Sequence, residues 1–195
     1  MGYNNFPIGV FDSGIGGLSV FRLIRSDLFN ENLLYVADSG YLPYGNKPIE
    51  LIIDRCVAIT EFLLEHRAKA VVIACNTATA AAITDLRRRF SNILFIGIEP
   101  PLKPAVVQTR TGVIGILATG NTVLSNKFAE LRQQYGQHCQ VLAQACPGLA
   151  ECVERGELSG ADVNALLERY LGPLLEQGVD TLVLGCTCLL YTSTL

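Results

Sequence analysis

Residues 8–18 read Ile8-Gly9-Val10-Phe11-Asp12-Ser13-Gly14-Ile15-Gly16-Gly17-Leu18. The apolar run over residues 6–11 has the length and character of a short buried strand. The glycines after it predict a tight turn, and residues 18–25 carry helical spacing. The same order continues along the chain. Residues 33–37 read as a strand, 38–48 as a loop, and 49–66 as a long amphipathic helix with Pro48 at its start. Residues 70–74 are a wholly apolar strand, 77–90 a helix, and 93–98 a fourth strand. Strands alternating with helices imply a parallel sheet covered on its faces by helices.

Glu99-Pro100-Pro101-Leu102-Lys103-Pro104 interrupts the pattern, and its three prolines suit a stiff connection. We place a domain boundary there, giving a first α/β domain over 1–98 and a second over 99–195. The pattern then restarts: strand 111–117, helix 122–134, strand 139–144, a short helix 149–155, a longer one 161–177, and an apolar strand 181–185. Ile114-Gly115-Ile116-Leu117-Ala118-Thr119-Gly120 lines up with Ile8 to Gly14 at an offset of 106 residues. Leu182-Val183-Leu184-Gly185-Cys186 lines up with Val71-Val72-Ile73-Ala74-Cys75 at an offset of 111. Two matches in the same order indicate related half-molecules. The expected fold is therefore two pseudo-symmetric parallel-sheet domains with helices on both faces and an active site in the cleft between them.

Composition narrows the function. Half of the 195 residues are hydrophobic and 17% are charged, which suits a packed core and excludes disorder. The net charge is −3 with no basic block, so nucleic acid is not an expected partner. Arg87-Arg88-Arg89 closes an expected helix, where it complements the helix dipole. The opening residues lack the charged and apolar regions of a targeting segment, and no apolar run approaches the ~18 residues of a membrane span. A cytoplasmic location is the expectation. The seven cysteines contain no C-x-x-C pair and there are two histidines, so no metal site is expected and the thiols should be free.

Cys75 and Cys186 each follow an apolar strand directly. Ligands of open parallel sheets bind beyond the carboxyl ends of the strands, so both sulfurs should lie at a sheet mouth. Asn76-Thr77 and Thr187 follow them, and a helix starting there would lower a thiol pKa toward neutrality. Two such thiols can act as a base and an acid on opposite faces of one carbon, which is what inverting a stereocentre requires. Cys56, Cys139, Cys146 and Cys152 read as structural, since free cysteines are mostly inert core. The loop Asp12 to Gly17 is neither a P-loop nor a dinucleotide fingerprint, because no Gly-Lys-Ser/Thr follows and Ser19 stands where the last glycine would. Its backbone N–H groups suit a substrate carboxylate equally well. Asp12 could cap the next helix, contact a substrate ammonium or tune Cys75. Pro43-Tyr44-Gly45 lies in the loop after the second strand, on the same side.

These residues resemble the glutamate racemase branch of the Asp/Glu racemase superfamily. Phe11 to Leu18, Leu42-Pro43-Tyr44-Gly45, Ala74-Cys75-Asn76-Thr77-Ala78 and Leu184-Gly185-Cys186-Thr187 carry the resemblance, in order, over residues 8 to about 187. It implies a cofactor-free, two-base interconversion of L- and D-glutamate, the D-form serving peptidoglycan. It implies that Cys75 handles the α-proton of one enantiomer and Cys186 that of the other. Asp12 would assist Cys75. Asp12, Ser13, Tyr44, Gly45, Asn76, Thr77 and Thr187 would line the glutamate site, Thr122 would join them, and Glu154 matches a family acid. Glutamate is then the partner, and a homodimer is compatible with this reading.

The family places His, then usually Tyr-Pro, after Gly-Cys-Thr, whereas this chain has Cys188-Leu189-Leu190-Tyr191. Cys188 cannot act as a cationic partner of Cys186, so proton transfer there should be slowed. Family members also continue further, so a C-terminally truncated chain with an unmatched tail over 189–195 is expected, with exposed apolar surface on the first domain. Alternatives are a racemase of aspartate or another acidic amino acid, and a catalytically impaired amino-acid-binding fragment. A cysteine hydrolase would need His66 or His138 as its base, and both read as solvated.

Overall fold

The computed structural model describes residues 5–192. The N-terminal residues 1–4 and the tail residues 193–195 lie outside the described part, as do the side chains of Tyr191 and Thr192. The chain divides into two compact units, one ending at Ile98 and the other beginning at Glu99.

In the first unit, β1 (Ile8–Asp12), α1 (Leu18–Asp27), β2 (Leu33–Ala37), α2 (Ile49–Glu65), β3 (Ala70–Ile73), α3 (Asn76–Arg89) and β4 (Leu94–Gly97) follow in order. The strands form one parallel sheet, ordered β2-β1-β3-β4. Successive side chains of a strand point to opposite faces, and the core divides accordingly. Phe11, Val71, Ile73 and Phe95 pack with Ile52, Cys56, Ile59 and Leu63 of α2 and with Ala78, Ala82 and Leu86 of α3. Val10, Val72 and Ala74 face the other way, toward Val20, Phe21 and Ile24 of α1. That second layer is thin. No residue of α1 is fully buried, and Leu23, Phe29, Leu94 and Ile96 are exposed. Phe95→Ala should therefore cost roughly 3–5 kcal/mol, whereas Ile96→Thr on the same strand should stay within about 0.5 kcal/mol. The shift of each urea-unfolding midpoint checks both.

The second unit contains α4 (Leu102–Gln108), β5 (Val113–Ala118), α5 (Gly120–Val123), α6 (Asn126–Tyr135), β6 (Gln140–Ala145), α7 (Leu149–Glu154), α8 (Ala161–Glu176), β7 (Thr181–Leu184) and α9 (Thr187–Thr192). Its parallel sheet is ordered β6-β5-β7. Ile114, Ile116, Val141 and Val183 pack against α4 and α6, while Leu117 and Leu184 face α7, α8 and α9.

The internal repeat is visible in the strand registers. Ile8 pairs with Ala70 and Phe11 with Ile73; Ile114 pairs with Thr181 and Leu117 with Leu184. These are the positions that the offsets of 106 and 111 bring into correspondence. Gly9 and Gly115 also correspond, and both make room for a helix. A Cβ at Gly9 would lie 2.8 Å from Leu63 of α2, and one at Gly115 would lie 3.1 Å from Leu174 of α8.

Two elements differ from the sequence reading. The proline-rich connection is partly helical: Pro101 precedes α4 and Pro104 sits in its first turn, where a missing N–H costs no intrahelical bond. Leu102 and Ala105 anchor that helix in the core. The helix expected over 122–134 is broken. Thr119 caps α5 by accepting from Thr122 N, and Ser125 starts α6 by accepting from Phe128 N at 3.1 Å while donating to Thr122 O at 2.8 Å. Among the described residues, no helix is long and apolar enough to cross a membrane.

Candidate active site

β1 and β3 are adjacent and parallel, so the residues that follow them emerge side by side. Asp12 ends β1 and is wholly buried. Cys75 follows β3 and caps α3, its Sγ accepting from Ala78 N at 3.5 Å. Ser13 bridges them. The Cys75 thiol donates to Ser13 Oγ at 3.8 Å, and Ser13 Oγ donates to Asp12 Oδ1 at 3.1 Å. Asp12 does not cap α1, whose N-cap is Gly17 without a side-chain bond. Its Oδ1 also accepts from Gly14 N at 3.4 Å, and Tyr35 Oη donates to Gly14 O at 2.8 Å. The glycine loop is thus held at Gly14 through both its N–H and its carbonyl.

Asn76 and Thr77 open α3 and are buried, and Asn76 Oδ1 has no hydrogen-bond partner among the described residues. A buried amide oxygen left so is costly, which suits an acceptor meant for a ligand. Tyr44 and Gly45, buried in a short 3-10 turn after the cis Leu42–Pro43 bond, complete the group. Tyr44 shares the core cluster of Cys75. Its hydroxyl donates to Asp38 Oδ2 at 2.5 Å. Burial first, then that bond, raise it well above the ordinary tyrosine range, so it stays protonated.

In the second unit Cys186 follows β7 and precedes α9 as Cys75 follows β3 and precedes α3. Cys186 and Thr187 are both buried. Thr119 and Cys146 line a small pocket with Cys186 and Leu189. Thr122 is buried and reaches that pocket through a 3.0 Å hydroxyl contact with Thr119. The Cys146 thiol is pushed up to about 12, chiefly by burial, with the Cys186 sulfur adding to it. Glu154 meets Cys188, whose thiol donates to Glu154 Oε1 at 3.0 Å. The Cys188 thiol is pushed up, first by its hydrogen bond with Cys186, then by burial and by Glu154, so it remains a neutral donor.

The sequence reading missed Thr119, Asp38 and Arg55. Thr119 was findable, since the offset of 106 places it opposite Ser13. Asp38 and Arg55 carried no spacing signal. The Asp38 carboxylate takes the Arg55 fork, from Nε to Oδ2 at 3.0 Å and from Nη2 to Oδ1 at 2.8 Å. The histidines lie apart from this chemistry: His66 is exposed, its Nδ1 2.8 Å from Phe62 O, and His138 is exposed. Cys56 is core as expected, while Cys139 is half-buried.

The model of the Asp/Glu/Hydantoin racemase family matches residues 20–190. The glutamate racemase of Ectopseudomonas mendocina is 54% identical over 187 residues, covering 96% of this chain and 71% of that protein. The chain belongs to the glutamate racemase family. The glutamate racemase of Methylococcus capsulatus is 57% identical over 184 residues, covering 94% of this chain and 68% of that protein. The crystal structure of the Francisella tularensis glutamate racemase with D-glutamate superposes with a TM-score of 0.84 at 30% identity, covering 98% of this chain and 72% of that one. Family membership makes the chain an isomerase of the cofactor-independent class. Its two α/β units carry the parallel sheets of the family fold.

Proposed function

We propose that this chain racemises glutamate by a two-base mechanism, with Cys75 and Cys186 as the bases and D-glutamate as the product destined for peptidoglycan. One observation carries the reading. The two cysteines occupy corresponding positions in a duplicated register, each just past a strand of its parallel sheet and at the start of a helix. One thiolate removes the α-proton, leaving a carbanionic intermediate. The opposite thiol delivers a proton to the other face of the carbon, and the two sulfurs exchange protonation states. The N-terminal end of α3 favours negative charge on Cys75.

Asp12 acts on Cys75 through Ser13, taking up the hydrogen bond that the thiol passes along. Asn76 Oδ1 accepts from the substrate ammonium. The Gly14–Gly17 loop and the backbone of Tyr44 and Gly45 donate to the carboxylates, with Thr77, Thr122 and Thr187 completing the glutamate contacts. On the Cys186 side, Glu154 holds Cys188.

The test is α-proton exchange. Purified chain in D₂O with L-glutamate or D-glutamate should give α-deuterated glutamate from each, with inversion, read by proton NMR and chiral chromatography. No exchange from either enantiomer would sink the reading. The uncharged Cys188 makes the Cys186 half-reaction the slower one. Cys188→His beside Glu154 would supply a cation next to Cys186 and favour its thiolate, and should speed that half-reaction roughly tenfold. An unchanged rate would remove Cys188 from the account.

A further inference from the structure

Asp38 lies at the C-terminal end of β2 and is tied to β1 by its N–H, which donates to Asp12 O at 3.0 Å. Its carboxylate is almost buried and receives three hydrogen bonds, two from Arg55 and one from Tyr44. Arg55 belongs to α2, and its guanidinium also stacks over the Tyr41 ring at 4.1 Å. The carboxylate thus joins α2 to the turn that carries Tyr44 and Gly45, while the backbone of the same residue holds β1 through its N–H and Tyr41 through its carbonyl.

The single phenolic proton of Tyr44 is committed to Asp38. The ring is packed in the core beside Cys75 rather than extended toward solvent. The Tyr44 hydroxyl is therefore not available to donate to a substrate carboxylate. What the loop can offer a ligand is its backbone, and the place of that backbone is set by the anchored ring. From this we infer that Asp38 and Arg55 are positioning residues: a half-buried bidentate clamp that holds the Tyr44–Gly45 backbone in the glutamate site without touching the substrate. The inference rests on the reading above that Tyr44 and Gly45 line that site.

Arg is the residue for this task. Its planar fork meets both carboxylate oxygens at once while its face stacks on Tyr41, and Lys can do neither. The second unit has a different solution at the corresponding place, where Cys146 N donates to Ala118 O at 3.0 Å as Asp38 N donates to Asp12 O. Cys146 brings no charge and no arginine, so the clamp belongs to the first unit alone.

Asp38→Asn, Arg55→Lys and Tyr44→Phe test it by two readouts. Amide hydrogen exchange needs no substrate. The N–H groups of Tyr41 and Lys47, bonded to Asp38 O and Tyr44 O, should exchange on the order of tenfold faster in each variant, with β1 and α3 unchanged. In glutamate racemisation the same variants should raise KM about tenfold for both enantiomers and change kcat by less than about threefold, the mark of lost positioning rather than lost chemistry. Asp38→Asn combined with Tyr44→Phe should be no worse than either alone. Unchanged loop protection, protection lost throughout the unit, or kcat falling with KM constant would each overturn the clamp. Failure of the two-cysteine reading looks different, because the loop amides would still respond while the unmodified chain failed to exchange the α-proton.

Discussion

Cys75→Ser is expected to lower glutamate racemisation by about 10²- to 10⁴-fold in both directions, and Cys186→Ser to do the same. Serine keeps the size and hydrogen-bonding capacity of cysteine, so Ser13 and Ala78 keep a partner at position 75. What serine lacks is a proton that leaves near neutral pH. The loss therefore measures the thiolate and not the packing. Each turnover uses both groups, one to take a proton and one to give it, so removal of either stops inversion from both enantiomers. The variants differ in what survives. The remaining thiolate can still remove the α-proton of its own enantiomer and return a deuteron from D₂O to the same face. Cys75→Ser should therefore exchange one enantiomer without inversion, and Cys186→Ser the other. Chiral chromatography combined with NMR separates these products. Full racemisation by either variant, or retained exchange of the same enantiomer by both, would refute the assignment.

Gly17→Ala is expected to cost roughly 1–3 kcal/mol of stability and to lower racemisation on the order of ten- to hundredfold. The reason is space and not backbone freedom. Gly17 has φ −67° and ψ −9°, which alanine adopts readily. Its missing Cβ would stand 2.6 Å from Asp12 Oδ2, 2.7 Å from Asp12 Cβ and 2.8 Å from Tyr35 Oη. Either Asp12 moves, disturbing the link through Ser13 to Cys75, or Tyr35 moves and releases the carbonyl of Gly14. Gly172→Ala is the control, because nothing lies within 4 Å of that Cβ in the middle of α8. It should shift stability by no more than about 0.5 kcal/mol, because the gain in helix propensity is offset by the restriction that Pro173 places on the residue before it, and should leave the rate unchanged. Urea-unfolding midpoints and initial rates distinguish the two substitutions. Equal behaviour of both would show that the Gly17 contact is not limiting.

The sequence determined the alternation of strands and helices, the duplication, and the placement of Cys75 and Cys186 just beyond the ends of β3 and β7. Those features are local or periodic. Apolar runs of four or five residues, the glycine turn and a constant offset all lie along the chain, and a parallel sheet aligns the strand ends once the order is known. The helix over 102–108 was hidden because three prolines argue against helix on composition. Only the buried Leu102 and Ala105 reveal that the helix has a core to pack on, with Pro104 harmless in its first turn. The break between α5 and α6 depended on Ser125 turning its hydroxyl to two backbone groups, a choice that spacing does not record.

Tertiary structure alone decided the connections made across the sheet. The sequence leaves Asp12 open between capping a helix, contacting a substrate ammonium and tuning Cys75, and the adjacency of β1 and β3 supplies the link through Ser13 to Cys75. Asp38, Tyr44 and Arg55 are 6 and 17 residues apart along the chain and meet only because β2 lies beside β1 while α2 packs across that sheet. Glu154 and Cys188, 34 residues apart, meet through the packing of α7 against α9. Periodicity specifies which face of an element is buried. It carries no information about which polar groups on different elements share the low-dielectric space at the strand ends, and there each donor must find an acceptor or bear the cost of burial.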